Sequence, residues 1–353
     1  MRILQLNFER GWRGGERQTL MTMRQLMLAG HDVELLARKG GELARRAQEL
    51  DLMVHECADT MAVCRFLLAR RRHYDVMHAQ TANMMTWLAM LRPWLKTRVV
   101  FTRRTAFPLK KNEARNAWKW RQADALVAIS DAAAAEPRRL GLRVSIIPSA
   151  VELQPLNAAH LQAFSSQHGL GGRRVLATAA ALTEEKDPQT LIRAVHELAQ
   201  TRQDFVFLHL GAGGSEEQAA KQLVKELGLE SIYLFAGFQE NVENLYRLMD
   251  VFVLASRHEA LGSSVLDAFC YGVPVVATNA GGLAELLADG RGLASEVGDS
   301  SALAANMARA MDDPALRATM TERGSRYVTL EHDPASMARS YLAVYEGRET
   351  GAV

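Results

Sequence analysis

The stretch SRHEALGSSVLDAFCYGVPVVATNAGGLAEL, residues 256–286, contains two strand-to-helix transitions in succession. In the first, Gly262, Ser263 and Ser264 stand where a helix is expected to begin. A buried apolar strand is predicted at 273–277, and a glycine pair then leads into another helix. Strand–loop–helix units that follow one another with short connections are typical of a mostly parallel sheet with helices on both faces. The stretch therefore predicts an α/β fold.

Two carboxylates accompany the first transition. Glu259 lies in the loop, and Asp267 lies about one turn into the predicted helix. A helix N-terminus attracts anions, and carboxylates accept hydrogen bonds from hydroxyl groups, so one ligand with phosphate and hydroxyl groups would fit here. The alternative is that Ser263 or Ser264 is only an N-cap and that Asp267 is only favourably placed near the helix N-terminus. The spacing alone leaves both interpretations open.

Apolar runs alternate with longer amphipathic segments along the whole chain, once up to about residue 150 and again after about residue 170. This pattern predicts two similar α/β domains rather than one long sheet. The predicted strands are 2–8, 32–37, 75–79, 98–102, 125–129 and 144–147 in the first domain, and 174–179, 205–210, 231–235, 250–254, 274–277 and 292–294 in the second.

The domain boundaries follow from the same pattern. We expect an N-terminal domain at 1–165, a second domain at 166–333 and a final segment at 334–353, whose helix has no strand of its own and returns to the first domain. The polar, glycine-containing segment 157–174 is the predicted linker. Ligands of open α/β sheets bind at the carboxyl ends of strands, and two such domains that face a central cleft would hold a small molecule there.

Composition excludes several classes of protein. The chain is 48% hydrophobic and 23% charged, as soluble globular proteins are. Its three cysteines are odd in number and lack metal-ligand spacing, which indicates a reducing compartment. Met1 leads directly into a predicted strand without a signal-peptide pattern, and the apolar run 84–95 is interrupted by Arg92 and Pro93. We therefore expect a cytoplasmic protein without a membrane-spanning helix.

The net charge of +2 conceals two opposite halves. Residues 1–165 hold 26 Lys+Arg against 15 Asp+Glu, an excess of +11, and the remainder carries −9. A basic half indicates an anionic partner, such as membrane headgroups or a phosphorylated substrate, although an ordinary solvated surface gives the same count.

The sequence pattern favours a core position over a membrane face for three large apolar residues, Trp87, Met90 and Trp94. Aromatic residues are not interleaved with the basic ones as nucleic-acid binding requires, so we expect no nucleic acid.

The opening stretch 256–286 and several other segments of the chain resemble the family-4 glycosyltransferases of GT-B fold. The family signature is E-x7-E followed by G-x-P-V-V-A-T-x-x-G-G-x-x-E, and its second part stands here at 272–285. Matches extend along nearly the whole chain, which makes the combination specific. They are GGER (14–17), DVMHAQ (75–80), ALVAISDAAAAEPRRLGLRVSIIPSAVE (125–152), ALTEEKDPQTLIRAV (181–195) and FLHLGAGG (207–214).

The resemblance implies a retaining glycosyltransferase that moves a sugar from a nucleotide sugar, expected to be UDP-linked, to a surface glycan or lipid-linked acceptor such as lipopolysaccharide. The N-terminal domain would bind the acceptor and the second domain the donor. Two other functions stay open: a nucleotide-sugar epimerase of the same fold and a non-catalytic nucleotide-binding protein. An anionic membrane surface at the inner face of the membrane is a further expected partner of the basic half.

The resemblance also assigns roles to residues. Glu259 matches the carboxylate near the donor sugar, Asp267 the one that holds the ribose hydroxyls, and Lys186 the lysine that counters the diphosphate charge. The expected donor-binding residues are Gly15, Lys186, Phe238, Glu259, Ala260, Leu261, Gly262, Ser263, Ser264 and Asp267. The expected acceptor-binding residues are Gly14, Glu16, His78 and Arg103, and the expected catalytic residues are Glu259, Lys186, Arg103 and Arg104.

Three departures from the family pattern affect these roles. Asp267 replaces the usual second glutamate, and the usual G-R-L is Ala180-Ala181-Leu182, so one arginine is missing. Arg103 and Arg104 stand where many members carry a histidine. We expect one of these arginines to supply the missing charge. His78 also has an alternative reading as a core or loop histidine.

No metal or other cofactor is expected beyond the nucleotide sugar, which is a co-substrate. The chain has no D-x-D placed for a divalent ion, because Asp312 and Asp313 precede Pro314 in a predicted helix-end turn. Backbone amides, Lys186 and an arginine would instead stabilise the negative charge that develops on the leaving diphosphate.

Overall fold

The computed structural model describes residues 1–109 and 112–348. It divides into two units, one formed by residues 1–150 with the chain from His332 onward, the other by residues 151–331. The last five residues of the predicted segment 334–353 lie outside the described residues.

The first unit contains a seven-stranded sheet, all of whose neighbouring strands are parallel, in the order β3-β2-β1-β4-β5-β6-β7. Its strands are β1 (Arg2–Asn7), β2 (Asp32–Arg38), β3 (Met53–Cys57), β4 (Val76–Ala79), β5 (Arg98–Arg103), β6 (Ala125–Ala128) and β7 (Ser145–Ile146). Its helices are α1 (Gly14–Leu28), α2 (Glu42–Gln48), α3 (Thr60–Ala69), α4 (Ala82–Leu91), α5 (Glu113–Trp120), α6 (Asp131–Arg139) and, from the C-terminal segment, α15 (Pro334–Tyr345).

The second unit contains a six-stranded parallel sheet in the order β10-β9-β8-β11-β12-β13. Its strands are β8 (Arg174–Ala179), β9 (Phe205–Leu210), β10 (Tyr233–Gly237), β11 (Val251–Leu254), β12 (Val275–Thr278) and β13 (Gly292–Ser295). Its helices are α7 (Ala158–Gln167), α8 (Pro188–Ala199), α9 (Glu217–Glu226), α10 (Val242–Leu245), α11 (Ser263–Cys270), α12 (Gly282–Leu287), α13 (Ser300–Asp312) and α14 (Pro314–Glu331). The predicted two-domain α/β fold is confirmed.

The central strand β1 of the first sheet is buried on both faces, because helices cover both sides and successive side chains point to opposite sides. Ile3 of β1 packs in the cluster that includes side chains of α1, α2 and α15. Leu4 and Leu6 of the same strand pack in the opposite cluster with side chains of α3, α4 and α5. Central strands of this kind read as continuous apolar runs, which is why the sequence predicted them closely.

The C-terminal helix belongs to the first unit. Asp333 caps it by accepting from Ser336 N at 2.7 Å, and Pro334 occupies its first turn, where a missing N–H costs nothing. Met337 and Tyr341 pack in the cluster that α1 shares. The helix therefore contributes to one face of a sheet whose last strand ends 188 positions earlier in the chain (Ile146 against Pro334), as expected from the sequence.

Two expectations differ from the structure. The segment 157–174 contains α7 rather than a linker, and the units divide at 150/151 instead of 165/166. The chain before α7 already bonds within the second unit, since Gln154 N donates to Tyr271 OH at 3.0 Å. The strand β3 was missed because it is an edge strand with only one buried residue, Cys57, in five.

In both sheets the strand order reverses next to the first strand of the unit. The reversal falls between β1 and β4 in the first sheet and between β8 and β11 in the second. At such a point the connections leave in opposite directions, and a crevice opens beyond the carboxyl ends of the two strands. Among the described residues no helix is both long and apolar enough to cross a lipid bilayer.

Candidate active site

The loop after β11 leads into α11 through Gly262, whose backbone conformation other residues adopt only with strain. Gly262 has φ +95° and is the residue before the helix, while Ser263 and Ser264 are its first two residues. A Cβ at Gly262 would lie 2.6 Å from Leu283 Cδ2. The alternative that a serine caps this helix is therefore wrong. Because glycine has no side chain to cap with, the first N–H groups of α11 are available to an anion.

Lys186 and Glu259 meet at the reversal point of the second sheet. Lys186 lies in the turn after β8, and its Nζ donates to Glu259 Oε2 in the loop after β11. Ser256, at the end of β11, places its Oγ 3.4 Å from the same carboxylate oxygen. Both charged side chains are partly exposed. The structure thus brings together two of the predicted donor residues that are 73 positions apart.

A second ion pair, which the sequence analysis missed, supports the first. Arg257 Nε donates to Asp187 Oδ2 at 2.7 Å, and Arg257 N donates to Glu185 O at 2.8 Å. Asp187 is buried and caps α8 by accepting from Thr190 N at 3.2 Å. The carboxylate of Asp187 raises the pKa of Arg257. The sequence signal was Asp187 before Pro188, the usual order of an N-cap and first helical residue.

The glycine pair at the start of α12 allows this helix to pack closely against the backbone of the Glu259 loop. A Cβ at Gly281 would lie 2.3 Å from Glu259 O, and one at Gly282 would lie 2.4 Å from Ala260 O. Gly282 N donates to Glu259 O at 3.0 Å. The second half of the signature therefore holds the backbone of the Glu259 loop, including Ala260 and the buried Leu261.

Asp267 and Phe238 complete the predicted donor set. Asp267 is buried in the second turn of α11. Phe238 follows the edge strand β10 and is 56% exposed. β9 lies between β10 and β8, so Phe238 follows a strand two places away from β8 in the sheet, and its donor contact stays a prediction.

In the first unit, Gly14 and Gly15 are the first two residues of α1, at the reversal point of that sheet. A Cβ at Gly15 would lie 3.7 Å from Arg104 Cδ, so the arginine passes close to the start of the helix. Arg104 Nη2 donates to Gln80 Oε1 at 2.7 Å, and its Nη1 donates to Ser149 Oγ at 3.3 Å. Its guanidinium is held by these side chains, with Nε buried, while the residue as a whole is partly exposed.

Arg103 is placed differently from its neighbour. It is buried, and its Nη1 and Nη2 donate to the backbone oxygens of Ala133 and Phe107. The guanidinium also lies 5.5 Å from the ring centroid of Trp120, and burial lowers its pKa. These interior contacts correct the expectation that Arg103 acts in catalysis or acceptor binding, because its donors are used within the unit.

His78 and Glu16 are also interior groups. His78 is fully buried, and its pKa lies well below the usual value because burial disfavours the charged ring and Arg104 repels it. Glu16 accepts from Asn7 Nδ2 at 3.2 Å and from Arg13 N at 3.0 Å, which fixes the start of α1. Burial raises the pKa of Glu16. Both side chains were expected to bind the acceptor, and this expectation is corrected: their contacts lie in the interior of the unit.

The hydrogen bonds determine the tautomer of His78. Because Gln80 Oε1 accepts from Arg104, the Nε2 of Gln80 donates, and it lies 3.2 Å from His78 Nδ1. Tyr345 OH, at 2.8 Å, also meets Nδ1. The proton of the neutral ring is therefore on Nε2, which lies 2.7 Å from Thr102 Oγ1. This buried network connects α15 to Arg104.

Within the two described ranges, no group of three or more His, Cys, Asp or Glu side chains is arranged to hold a metal ion.

Comparison with known proteins accounts for both halves of the chain. Residues 12–155 match the family model described as Glycosyltransferase Family 4. Residues 162–327 match the model described as Glycosyl transferases group 1. The chain belongs to the GT-B glycosyltransferases.

The fold is similar to that of HepE from Anabaena, solved in complex with UDP and glucose, with a TM-score of 0.87 and 19% identity over 98% of this chain and 99% of that one. LpsE of Rhizobium meliloti, a lipopolysaccharide core biosynthesis glycosyltransferase, is 31% identical over 48% of each chain. LpcC of Rhizobium leguminosarum bv. viciae, a lipopolysaccharide core biosynthesis mannosyltransferase, is 27% identical over 78% of this chain and 79% of its own. The chain spans about half the length of the first curated relatives that it matches.

Proposed function

We propose that the protein is a retaining, metal-independent glycosyltransferase that moves a hexose from a UDP-sugar to a glycan or glycolipid acceptor such as lipopolysaccharide. The observation that carries the proposal is the Lys186–Glu259 pair beside the start of α11, where the strand order reverses. The complex of HepE with UDP and glucose supports the donor class, and the names of LpsE and LpcC support the acceptor class.

The donor diphosphate is assigned to the start of α11 and to Lys186. The N–H groups of Ser263 and Ser264 would donate to phosphate oxygens, and Gly262 leaves room for them. Lys186 would exchange part of its interaction with Glu259 for the leaving phosphate. Negative charge grows on that phosphate as its bond to the anomeric carbon breaks, so fixed donors here lower the barrier.

The two carboxylates are assigned to the two ends of the donor. Asp267 would accept from the ribose hydroxyls, and Glu259, on the loop held by the α12 glycines, would accept from hydroxyls of the transferred sugar. In the transfer, the acceptor oxygen bonds to the anomeric carbon, the diphosphate leaves with the bonding electrons, and the acceptor proton is lost to it or to solvent. The anomeric configuration is retained in this proposal.

The first unit is assigned the acceptor. Gly14 at the start of α1 and the partly exposed Arg104 are its candidate contacts. We further propose that Arg104 supplies the cation that is absent at Ala181. The enzyme would act in the cytoplasm at the inner face of the membrane.

The test is product analysis with a panel of UDP-, GDP- and ADP-sugars, each with and without a lipopolysaccharide core acceptor and with and without EDTA. The proposal expects a glycosylated acceptor and free UDP, unchanged by EDTA. A changed sugar on an intact nucleotide without acceptor would instead identify an epimerase. Binding with no product under any condition would identify a nucleotide-binding protein. The catalytic control is Glu259→Gln, which should bind UDP and fail to transfer.

A further inference from the structure

The basic excess of the N-terminal half comes from one segment. Residues 60–121 contain 14 Lys+Arg and only 2 Asp+Glu. The segment forms α3, β4, α4, β5 and α5. α4 itself has no Lys or Arg, and six of these cations lie in the turns directly after the three helices: Arg70, Arg71, Arg72, Arg92, Lys96 and Arg121.

These helices form one layer. Side chains of α3, α4 and α5 pack in the same cluster on one face of the first sheet. Their C-terminal ends are tied together, because Arg92 after α4 donates to both carboxylate oxygens of Asp124 at 2.7 and 2.9 Å. Lys96 N also donates to Arg71 O at 3.2 Å, which joins the turn after α3 to the turn after α4.

Large apolar side chains lie on the outside of this layer. Trp94 is 57% exposed, Met90 54% and Trp118 48%. The core positions are taken by Leu91 and Leu95, so Met90 and Trp94, four residues apart, point outward. The expectation that Met90 and Trp94 are core residues is therefore wrong. Exposed tryptophans beside a basic surface indicate an interaction site rather than ordinary surface.

We define the basic-aromatic face as Arg71, Arg72, Met90, Trp94, Lys96 and Trp118. The three charged residues are exposed, and Arg71 and Arg72 line a surface concavity that runs from Ala69 to His73. We propose that this face docks on an anionic lipid bilayer. Tryptophan prefers the headgroup level of a bilayer because its ring is apolar with one polar N–H. Arginine and lysine next to it add attraction to acidic headgroups.

The location separates docking from the donor site. The helix ends of this layer lie where β4, β5 and β6 begin, at the edge of the first sheet opposite to Arg104. The donor residues belong to the second unit. Loss of docking should therefore leave UDP binding intact, so the failure of this proposal and the failure of the proposed function are distinguishable.

The experiment is co-sedimentation of the full chain with vesicles of phosphatidylglycerol and phosphatidylethanolamine, compared with phosphatidylcholine vesicles. Binding is expected only to the anionic vesicles and should fall from 0.05 to 0.5 M NaCl, roughly the range in which charges become screened. The double variant R71Q/R72Q should lower the partition coefficient about 30-fold, since each cation near an anionic surface contributes about 1 kcal/mol. The double variant W94A/W118A should also release the protein.

Matched controls carry the same changes on other surfaces. R193Q/K225Q removes two exposed charges from the second unit, and L28A/L330A removes two exposed apolar side chains. Both should bind vesicles like the parent. Thermal unfolding verifies that every variant is folded, and calorimetry with UDP verifies that the donor site is intact. Equal vesicle binding by R71Q/R72Q and R193Q/K225Q overturns the proposal. Equal binding to neutral vesicles, or release from anionic vesicles by duplex DNA at equal charge, overturns it as well.

Discussion

Arg103 and Arg104 are adjacent, yet they lie in opposite surroundings. Arg103 is the last residue of β5, and successive side chains of a strand alternate in direction, so one arginine turns inward and the next does not. The sequence marks the pair as unusual but cannot tell which side chain is accessible, because that depends on the carbonyl groups of Ala133 and Phe107 that fold against β5.

The two arginines should therefore fail differently when replaced. Arg104→Ala should lower kcat about 100-fold, as the loss of one charge-stabilising donor does. It should lower the free energy of unfolding by only about 1 kcal/mol, because the buried Gln80 Oε1 loses its donor but Arg104 itself is partly exposed. Arg103→Ala should lower the free energy of unfolding by about 2–4 kcal/mol, because the buried carbonyl group of Ala133 and the partly buried one of Phe107 lose a charged donor. Steady-state kinetics and urea unfolding of both variants separate the effects.

The reverse pattern, with activity lost at Arg103 and stability lost at Arg104, would contradict these placements. Arg104→Lys keeps the charge but not the two-sided geometry toward Gln80 and Ser149, and should recover only part of kcat. Ala181→Arg in the Arg104→Ala background tests whether the missing family arginine restores the activity.

At the scale of elements, the glycines of the signature have two different duties. Gly262 opens the start of α11, whereas Gly281 lets α12 approach the Glu259 loop. Gly281 has φ +53°, and a Cβ there would lie 2.3 Å from Glu259 O. The sequence marks this glycine pair as the start of a helix but does not show what lies close to it, because a single strand-to-helix unit does not specify its neighbours.

Gly281→Ala should lower the free energy of unfolding by about 3 kcal/mol or more, the sum of left-handed strain and a forced shift of the loop. It should also lower kcat, because the loop carries Glu259. Gly298→Ala is the control: φ is +83°, but no atom lies within 4 Å of its Cβ, so about 1–2 kcal/mol from strain alone is expected. Chemical denaturation and donor turnover of the two variants give the comparison, and equal losses would show that the packing is unimportant.

Other elements show where sequence reasoning is strong. The strands β8, β9 and β11 are within one residue of their predicted bounds, because burial on both faces makes them continuous apolar runs. α7 was missed because its polar face and flanking glycines resemble a linker, and only its neighbours in the second unit make it a helix of the fold. The exposure of Trp94 likewise depends on its neighbours Leu91 and Leu95, which fill the core.

At the scale of the whole molecule, each unit buries a neutral histidine. Burial lowers the pKa of His78 well below its usual value and that of His209 to about 4. The unfolded chain takes up protons near pH 6.5, where the folded chain does not. Stability should therefore be greatest above about pH 6.5 and decrease as the pH falls below that value, toward about 4 for His209.

Urea unfolding at pH 7 and pH 5.5 measures this loss, which should be about 1 kcal/mol for each buried histidine. His78→Gln and His209→Gln should each reduce the decrease in the free energy of unfolding between pH 7 and pH 5.5, whatever they do to stability at pH 7. His196, a partly exposed histidine of α8, provides the control as His196→Gln. A pH dependence that is the same in all variants would contradict neutral burial.

The central claim is that the start of α11 binds a nucleoside diphosphate between two carboxylates with separate duties. Titration calorimetry of UDP with the parent, Asp267→Asn and Glu259→Gln tests it most directly. Asp267→Asn should weaken UDP binding about tenfold or more, because hydrogen bonds to a charged acceptor contribute about 1.5–3 kcal/mol. Glu259→Gln should leave the Kd of UDP within about twofold and lower turnover of the full donor, as expected for an interaction made with the sugar and strongest in the transition state. Equal loss of UDP affinity in both variants, or no UDP binding by the parent, would contradict the claim.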